Sequence, residues 1–226
     1  LAPLRFHNQF FTAKCEVDPI LEVGERVEFD AYRWATPVQL LEEWLNHEIK
    51  IPPPIIMLLR DLVGKDLEEA IGILAKDPPS NNRRIEFAPG VECVPIPTNT
   101  LPPATHTNCY VLGVPGGPRV IIDPAAKCTE GLTIMEEKVN EIKRSGSEIL
   151  ATIFTHRHAD HIGDIDAISQ IYDAPIWASE ETLAVISNPS NSRTLEEGDT
   201  IGVDEVAWSI IETPGHCPGQ ICLVSE

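Results

Sequence analysis

The segment that most constrains this chain runs from residue 149 to residue 161. Ile149-Leu150-Ala151-Thr152-Ile153-Phe154 reads as apolar throughout, which suits a central strand covered on both faces rather than one with a wet side. It passes directly into Thr155-His156-Arg157-His158-Ala159-Asp160-His161. Residues two apart leave a strand on the same side, so His156 and His158 can share one ion. Asp160 and His161, a little further round the loop, can face a second ion nearby. Imidazole and carboxylate are good ligands for Zn²⁺, and for Fe²⁺ or Mn²⁺.

A tetrahedral catalytic site takes three protein ligands and a water. The third candidate is His216, within Pro214-Gly215-His216-Cys217-Pro218-Gly219, which also follows an expected strand and so opens at the same end of the sheet. Glycine beside the ligand allows close backbone approach, and the prolines stiffen the loop. Four of the seven histidines fall in these two loops. His7, His47 and His106 are isolated and are expected to be structural or exposed. Cys217 and Cys222 invite a ligand or nucleophile role, but small apolar filling explains both.

The remaining pattern divides the chain. Residues 76–84 are polar and Pro-bearing, as linkers are, and we expect a boundary there between a domain over 1–80 and another over 88–226. In the first, strands are expected over 5–15 and 25–33. A helix opens at Pro37 with Val38, Leu41, Trp44 and Leu45 on one face. Pro52-Pro53-Pro54 stops it, and helical pieces follow over 55–62 and 66–75. In the second, strands over 91–96, 107–114 and 119–123 precede a helix carrying Leu132, Met135, Val139 and Ile142 at steps of three and four. The strand over 148–155, a helix through Ile165, Ile168 and Ile171, and strands over 175–178, 207–213 and 220–224 complete it.

Composition narrows the partners. With 17 Lys+Arg against 35 Asp+Glu, the 226-residue chain carries −18, which argues against a broad nucleic-acid surface but leaves room for a small anionic substrate at a metal. No apolar run approaches the ~18 residues of a membrane-spanning helix. The six cysteines contain no C-x-x-C pair, and we expect reduced thiols in a cytoplasmic protein. The opening residues do not read as a signal peptide; lacking an initiator Met, the chain is expected to be processed or to continue upstream.

H-x-H-x-D-H after a buried strand, with P-G-H about 55 residues later, resembles the metallo-β-lactamase-fold hydrolases. Thr107-Asn108-Cys109-Tyr110 and Ile121-Ile122-Asp123 are similar to that family's first hairpin and its aspartate, and Leu195-Glu196-Glu197-Gly198-Asp199 to a later turn. The resemblance covers residues 91–226. It implies an α+β chain built as an αββα sandwich with its metals, one or two Zn²⁺, at one sheet edge. It further implies that His156, His158 and His216 bind the first ion, that Asp160 and His161 bind the second, and that Asp123 orients a ligand imidazole by hydrogen bond. The family's bridging carboxylate and final histidine come after the P-G-H loop, and no Asp or His follows His216 here. We therefore expect a fragment, complete at the first site and incomplete at the second. Residues 25–44, with Tyr32-Arg33-Trp34-Ala35-Thr36-Pro37 opening a helix, resemble the final part of a Nudix domain, without that family's carboxylate-rich catalytic helix.

The implied activity is metal-assisted hydrolysis of an ester, thioester or phosphodiester, with Asp160 orienting the attacking water or taking its proton. The wording of the second domain resembles the β-lactamase-like protein 2 subgroup, some of which cleave single-stranded RNA, so small-molecule and RNA substrates both stand. Two alternatives come from other classes: a mononuclear-iron oxygenase of the same fold, and a non-catalytic interaction module.

Overall fold

The computed structural model describes residues 11–17, 19–20, 32–75, 85–186 and 191–225. The chain divides into two units, Leu1–Ala88 and Pro89–Glu226.

In the first unit, helix α1 (Pro37–Leu45) starts at Thr36, whose hydroxyl accepts from the Gln39 N–H while the Gln39 side chain answers the Thr36 N–H. Only Trp44 of the expected apolar face is fully buried; the Arg60 guanidinium lies over its ring at 5.4 Å. Helix α2 (Pro53–Leu62) corrects one expectation. Pro53 and Pro54 occupy its first turn, where the missing N–H groups have no partner to lose, so the proline run opens a helix as well as ending the previous segment. Helix α3 (Leu67–Leu74) is capped by Asp66 and Glu69 in the same reciprocal way as α1. Strand β1 (Ile85–Ala88) follows, its buried Glu86 paired with Arg60 at 2.7 Å. Residues 11–15 form no strand, and the rest of the two strands expected over 5–15 and 25–33 lies outside the described residues, apart from 32–33, which are also not strand.

The second unit is layered. Strands β2 (Val91–Pro97), β3 (His106–Leu112), β4 (Arg119–Ile122), β5 (Ile149–Ile153), β6 (Ile176–Ala178) and β7 (Ser192–Thr194) lie side by side in chain order. The first three pair antiparallel and β4 through β7 pair parallel. Helices α4 (Thr129–Arg144), α5 (Ala159–Ile162), α6 (Ile165–Ile171) and α7 (Glu180–Leu183) connect the parallel strands, as crossovers must. Strands β8 (Thr200–Val203), β9 (Val206–Glu212) and β10 (Ile221–Val224) form a separate antiparallel sheet.

Two apolar cores explain the layering. On one face of the large sheet, Ile96, Cys109, Val111 and Ile121 pack with Met135, Val139 and Ile142 of α4 and Ile168 of α6. On the other, Leu112, Val120, Ile122 and Ile153 pack with Ile201, Val203, Ile210 and Ile221 of the small sheet. Strand β5 sits between them, which is why its sequence does not alternate. Each fully buried aliphatic side chain contributes about 1.5–3 kcal/mol toward holding the layers. The result is the mixed α and β architecture expected. Its helix–sheet–sheet stacking delivers the end of β5 and the loop before β10 to one edge. Among the described residues, no helix is long and apolar enough to cross a membrane.

Candidate metal centre

Everything at this edge hangs from Asp123, the residue after β4. Its backbone has φ 48° and that of Ala125 nearby has φ 56°, a left-handed conformation that side-chain-bearing residues rarely adopt. Such strain persists where the surroundings over-determine it. Here they do: the Asp123 N–H donates to the Ile153 carbonyl at 2.9 Å, and the Ala125 N–H to the His161 carbonyl at 3.1 Å. Gly163 permits the second contact. It has φ +71°, and a Cβ there would sit 2.6 Å from the Ala125 carbonyl carbon and the Ala126 oxygen.

The Asp123 carboxylate, 4% exposed, is fully engaged. One oxygen accepts the Thr155 N–H at 2.8 Å; the other accepts the Thr155 hydroxyl at 2.6 Å and faces His161 Nδ1 at 2.8 Å. These bonds settle the tautomers. A carboxylate only accepts, so His161 Nδ1 carries its proton and leaves a lone pair on Nε2. The Thr155 hydroxyl spends its one proton on Asp123, so toward His156 Nδ1 at 3.0 Å it can only accept. His156 therefore also carries its proton on Nδ1 and keeps a lone pair on Nε2. That Nε2 is buried and has no hydrogen-bond partner among the described residues. An orphaned buried acceptor costs about 1–3 kcal/mol unless something occupies it.

Burial, reinforced by the neighbouring His161, pushes the His156 pKa down to about 4, so the ring is neutral at pH 7, as a ligand must be. Burial also works to lower the His161 pKa, but the Asp123 hydrogen bond and charge outweigh it and the net shift is upward. Asp160 shows the reverse contest. Burial would raise its pKa, yet hydrogen bonding from Thr100 and from its own backbone, with the His161 and His156 charges, holds it below the usual carboxylate range.

The two loops meet. His158 stands at the residue before α5, and its Nδ1 lies 2.9 Å from Nε2 of His216, with the rings edge to face. The centroids of His156 lie 4.8 Å from His158, 4.0 Å from His161 and 5.2 Å from His216. A cleft of about 450 Å³ is lined by His156, His158, Asp160, His161 and His216 together, so all five expected ligands face one space. Among the described residues, two sets have donor atoms within 4.8 Å of one another: His156, His158 and Cys217, and Asp123, His156 and His161. Neither contains Asp160 or His216. Asp123 belongs to the second by distance, and its carboxylate already accepts from three donors. From the sequence, apolar filling was preferred to a ligand role for Cys217; the structure places its sulfur within reach of His156 and His158. The donors fit a divalent ion that prefers nitrogen: two Nε2 lone pairs fixed by hydrogen bonds at Nδ1, one of them buried without a partner. His7 lies outside the described residues, and His47 and His106 line no part of this cleft.

Comparison with known proteins identifies the family of the second unit. The signature of the metallo-beta-lactamase superfamily matches residues 102–226. A hydroxyacylglutathione hydrolase of Nitrobacter hamburgensis is 31% identical over 109 residues, 47% of this chain and 42% of that protein. An uncharacterized protein of Aquifex aeolicus is 29% identical over 135 residues, 53% of this chain and 60% of its own length. The chain thus spans about half the length of these relatives. Among solved structures, a beta-lactamase domain protein from Burkholderia ambifaria superposes with TM-score 0.54 at 22% identity, covering 68% of this chain and 54% of that one, a likeness of fold. The Nudix resemblance of the first unit finds no support in these comparisons. With more than half of its residues matched by the family signature, and the histidine loops at one edge of a two-sheet core, the chain belongs to the metallo-beta-lactamase superfamily.

Proposed function

We infer that this protein is a metal-dependent hydrolase whose substrate is a small ester or thioester. The observation that carries the choice of substrate is the lining of the space beside the histidines. A cavity of about 650 Å³ runs from Asp123, His156, His161 and His216 to Tyr110, Leu112, Trp208 and Leu223. Neither it nor the ligand cleft is lined by a Lys or Arg among the described residues. Polyanionic nucleic acid is held by such cations, and the net charge of −18 opposes it further. The volume lies within the ~300–1,000 Å³ usual for small-molecule pockets. The hydrolase-named relatives support the same reading.

In this reading His156, His158 and His216 hold the first ion and Asp160 and His161 the second. When bound, Zn²⁺ makes a water acidic enough to yield a nucleophile near pH 7 and polarises the substrate carbonyl. The residues of the chain do the rest. Asp123 holds the His161 ring, and through Thr155 the His156 ring, in the tautomers that present Nε2. Asp160, ionised and tethered at its carbonyl by the Thr107 hydroxyl at 2.7 Å, orients the attacking water or takes its proton. The test offers the zinc-loaded chain a 2-hydroxyacyl thioester of glutathione and, separately, single-stranded RNA. Release of free thiol with the RNA left intact is expected. RNA cleavage without thioester cleavage would overturn the reading.

A further inference from the structure

Cys217 stands out among the six cysteines, all of them free. Cys93 and Cys109 are buried beside the large sheet, where burial pushes the Cys93 thiol up to about 11 and that of Cys109 well above its ordinary value, so both are inert. Cys15 and Cys128 are exposed, and Cys222 faces the Thr213 hydroxyl at 3.4 Å. Cys217 is 6% exposed, its sulfur makes no hydrogen bond among the described residues, and it shares a 4.8 Å cluster with donor nitrogens of His156 and His158. One nitrogen of that His156 ring is the buried, unpartnered Nε2.

The backbone around the thiol is held in place. The Ser179 hydroxyl donates to the Gly219 carbonyl at 2.6 Å, and the Gln220 N–H to the Cys217 carbonyl at 3.4 Å. Gly219 has φ +74°, and a Cβ there would lie 2.6 Å from Ser179 Oγ and 2.7 Å from Glu181 Cβ. Only glycine lets the loop lie this close to the start of α7, and the position of Cys217 follows from that approach.

We propose that Cys217 Sγ is a ligand of the same ion as His156 and His158, so that the first site is a mixed nitrogen–sulfur centre. The inference rests on the metal-holding reading above. Donors sharing a tetrahedral zinc sit about 3.3–3.6 Å apart, so a set spanning 4.8 Å closes with shifts on the order of 1 Å. The sulfur–metal bond forms as the S–H bond breaks and its proton leaves to solvent. With His216 also engaged the set is three nitrogens and one sulfur, and zinc can still expand to a fifth position for water. A thiolate donor selects Zn²⁺ over Mn²⁺, which prefers oxygen ligands.

Cobalt(II) is the probe, added to the full chain and to its C217S, C222S and H158A variants. A sulfur-to-cobalt charge-transfer band in the near ultraviolet is expected for the parent and C222S. It is lost in C217S, which keeps its visible cobalt bands, and H158A binds little cobalt. A second measurement needs no variant: zinc should slow alkylation of Cys217 by N-ethylmaleimide, located by peptide mass spectrometry, by tenfold or more. Identical cobalt spectra for the parent and C217S, or alkylation of Cys217 unaffected by zinc, overturn the sulfur ligand and leave the metal reading standing. Failure of the parent to bind cobalt at all, or binding indifferent to H158A, removes the metal reading and the sulfur ligand with it.

Discussion

At the scale of single residues, the site is a chain of proton assignments that begins at one carboxylate. Asp123 accepts from Thr155 and His161, and Thr155 in turn accepts from His156, so two imidazoles are set by one aspartate. In Asp123→Asn one oxygen becomes an N–H₂ group that cannot accept, so a donor then faces either the Thr155 N–H or the pair formed by the Thr155 hydroxyl and His161 Nδ1. Zinc affinity measured with a competing chromophoric chelator should fall about 10- to 100-fold, the usual cost of losing a group that orients a ligand. His158→Ala should lower zinc content, read by elemental mass spectrometry. Asp160→Ala should keep the ion at the first site while hydrolysis slows by about 10²–10⁴-fold; equal hydrolysis would remove Asp160 from the mechanism. The cluster His156, His158 and His161 was legible in the sequence because its spacing is a local pattern. The hydroxyl link through Thr155 was not, because it depends on a carboxylate 32 residues away.

At the scale of elements, the long periodic segments were legible and the short strands β4, β6 and β10 were expected from their apolar residues, but β7, β8 and α5 were not. The apolar steps of α4 place Met135, Val139 and Ile142 in the core, each at most 3% exposed. Strand β7 has three residues and β8 has four, too few to show a period, and both arise from pairing with neighbours. The same holds for α5, a single turn that carries Asp160 and His161. Its placement depends on Gly163, where the left-handed backbone and the backbone atoms 2.6 Å from a Cβ forbid a side chain. Gly163→Ala should destabilise the second unit by more than about 1 kcal/mol, measured by urea unfolding. It should also weaken zinc binding, because α5 must move to relieve the contact. Full stability with unchanged zinc affinity would show that the loop after β4 yields instead.

At the scale of the whole molecule, the two cores of the second unit bring the β5 loop and the β10 loop together across 58 residues of chain, the separation of His158 from His216. An ion held by both loops binds the folded chain and not the unfolded one. Free zinc at a hundred times its dissociation constant should therefore add about 2.7 kcal/mol to unfolding, and chelation should remove it; an unfolding curve indifferent to zinc would separate the site from the fold. Charge acts at this scale as well: −18 over 226 residues repels polyanions. By itself the sequence determined the buried strand, the histidine motif that follows it, the α4 face and the sign of the surface charge, because periodicity, ligand spacing and composition are carried by residues near one another in the chain. Only the tertiary structure decided that Asp123 fixes the tautomers of two histidines, that Cys217 lies within reach of His156 and His158, and that no Lys or Arg among the described residues lines the cavity beside them. Each of those depends on backbone from distant segments being packed to within a few ångströms, a distance that no local pattern encodes.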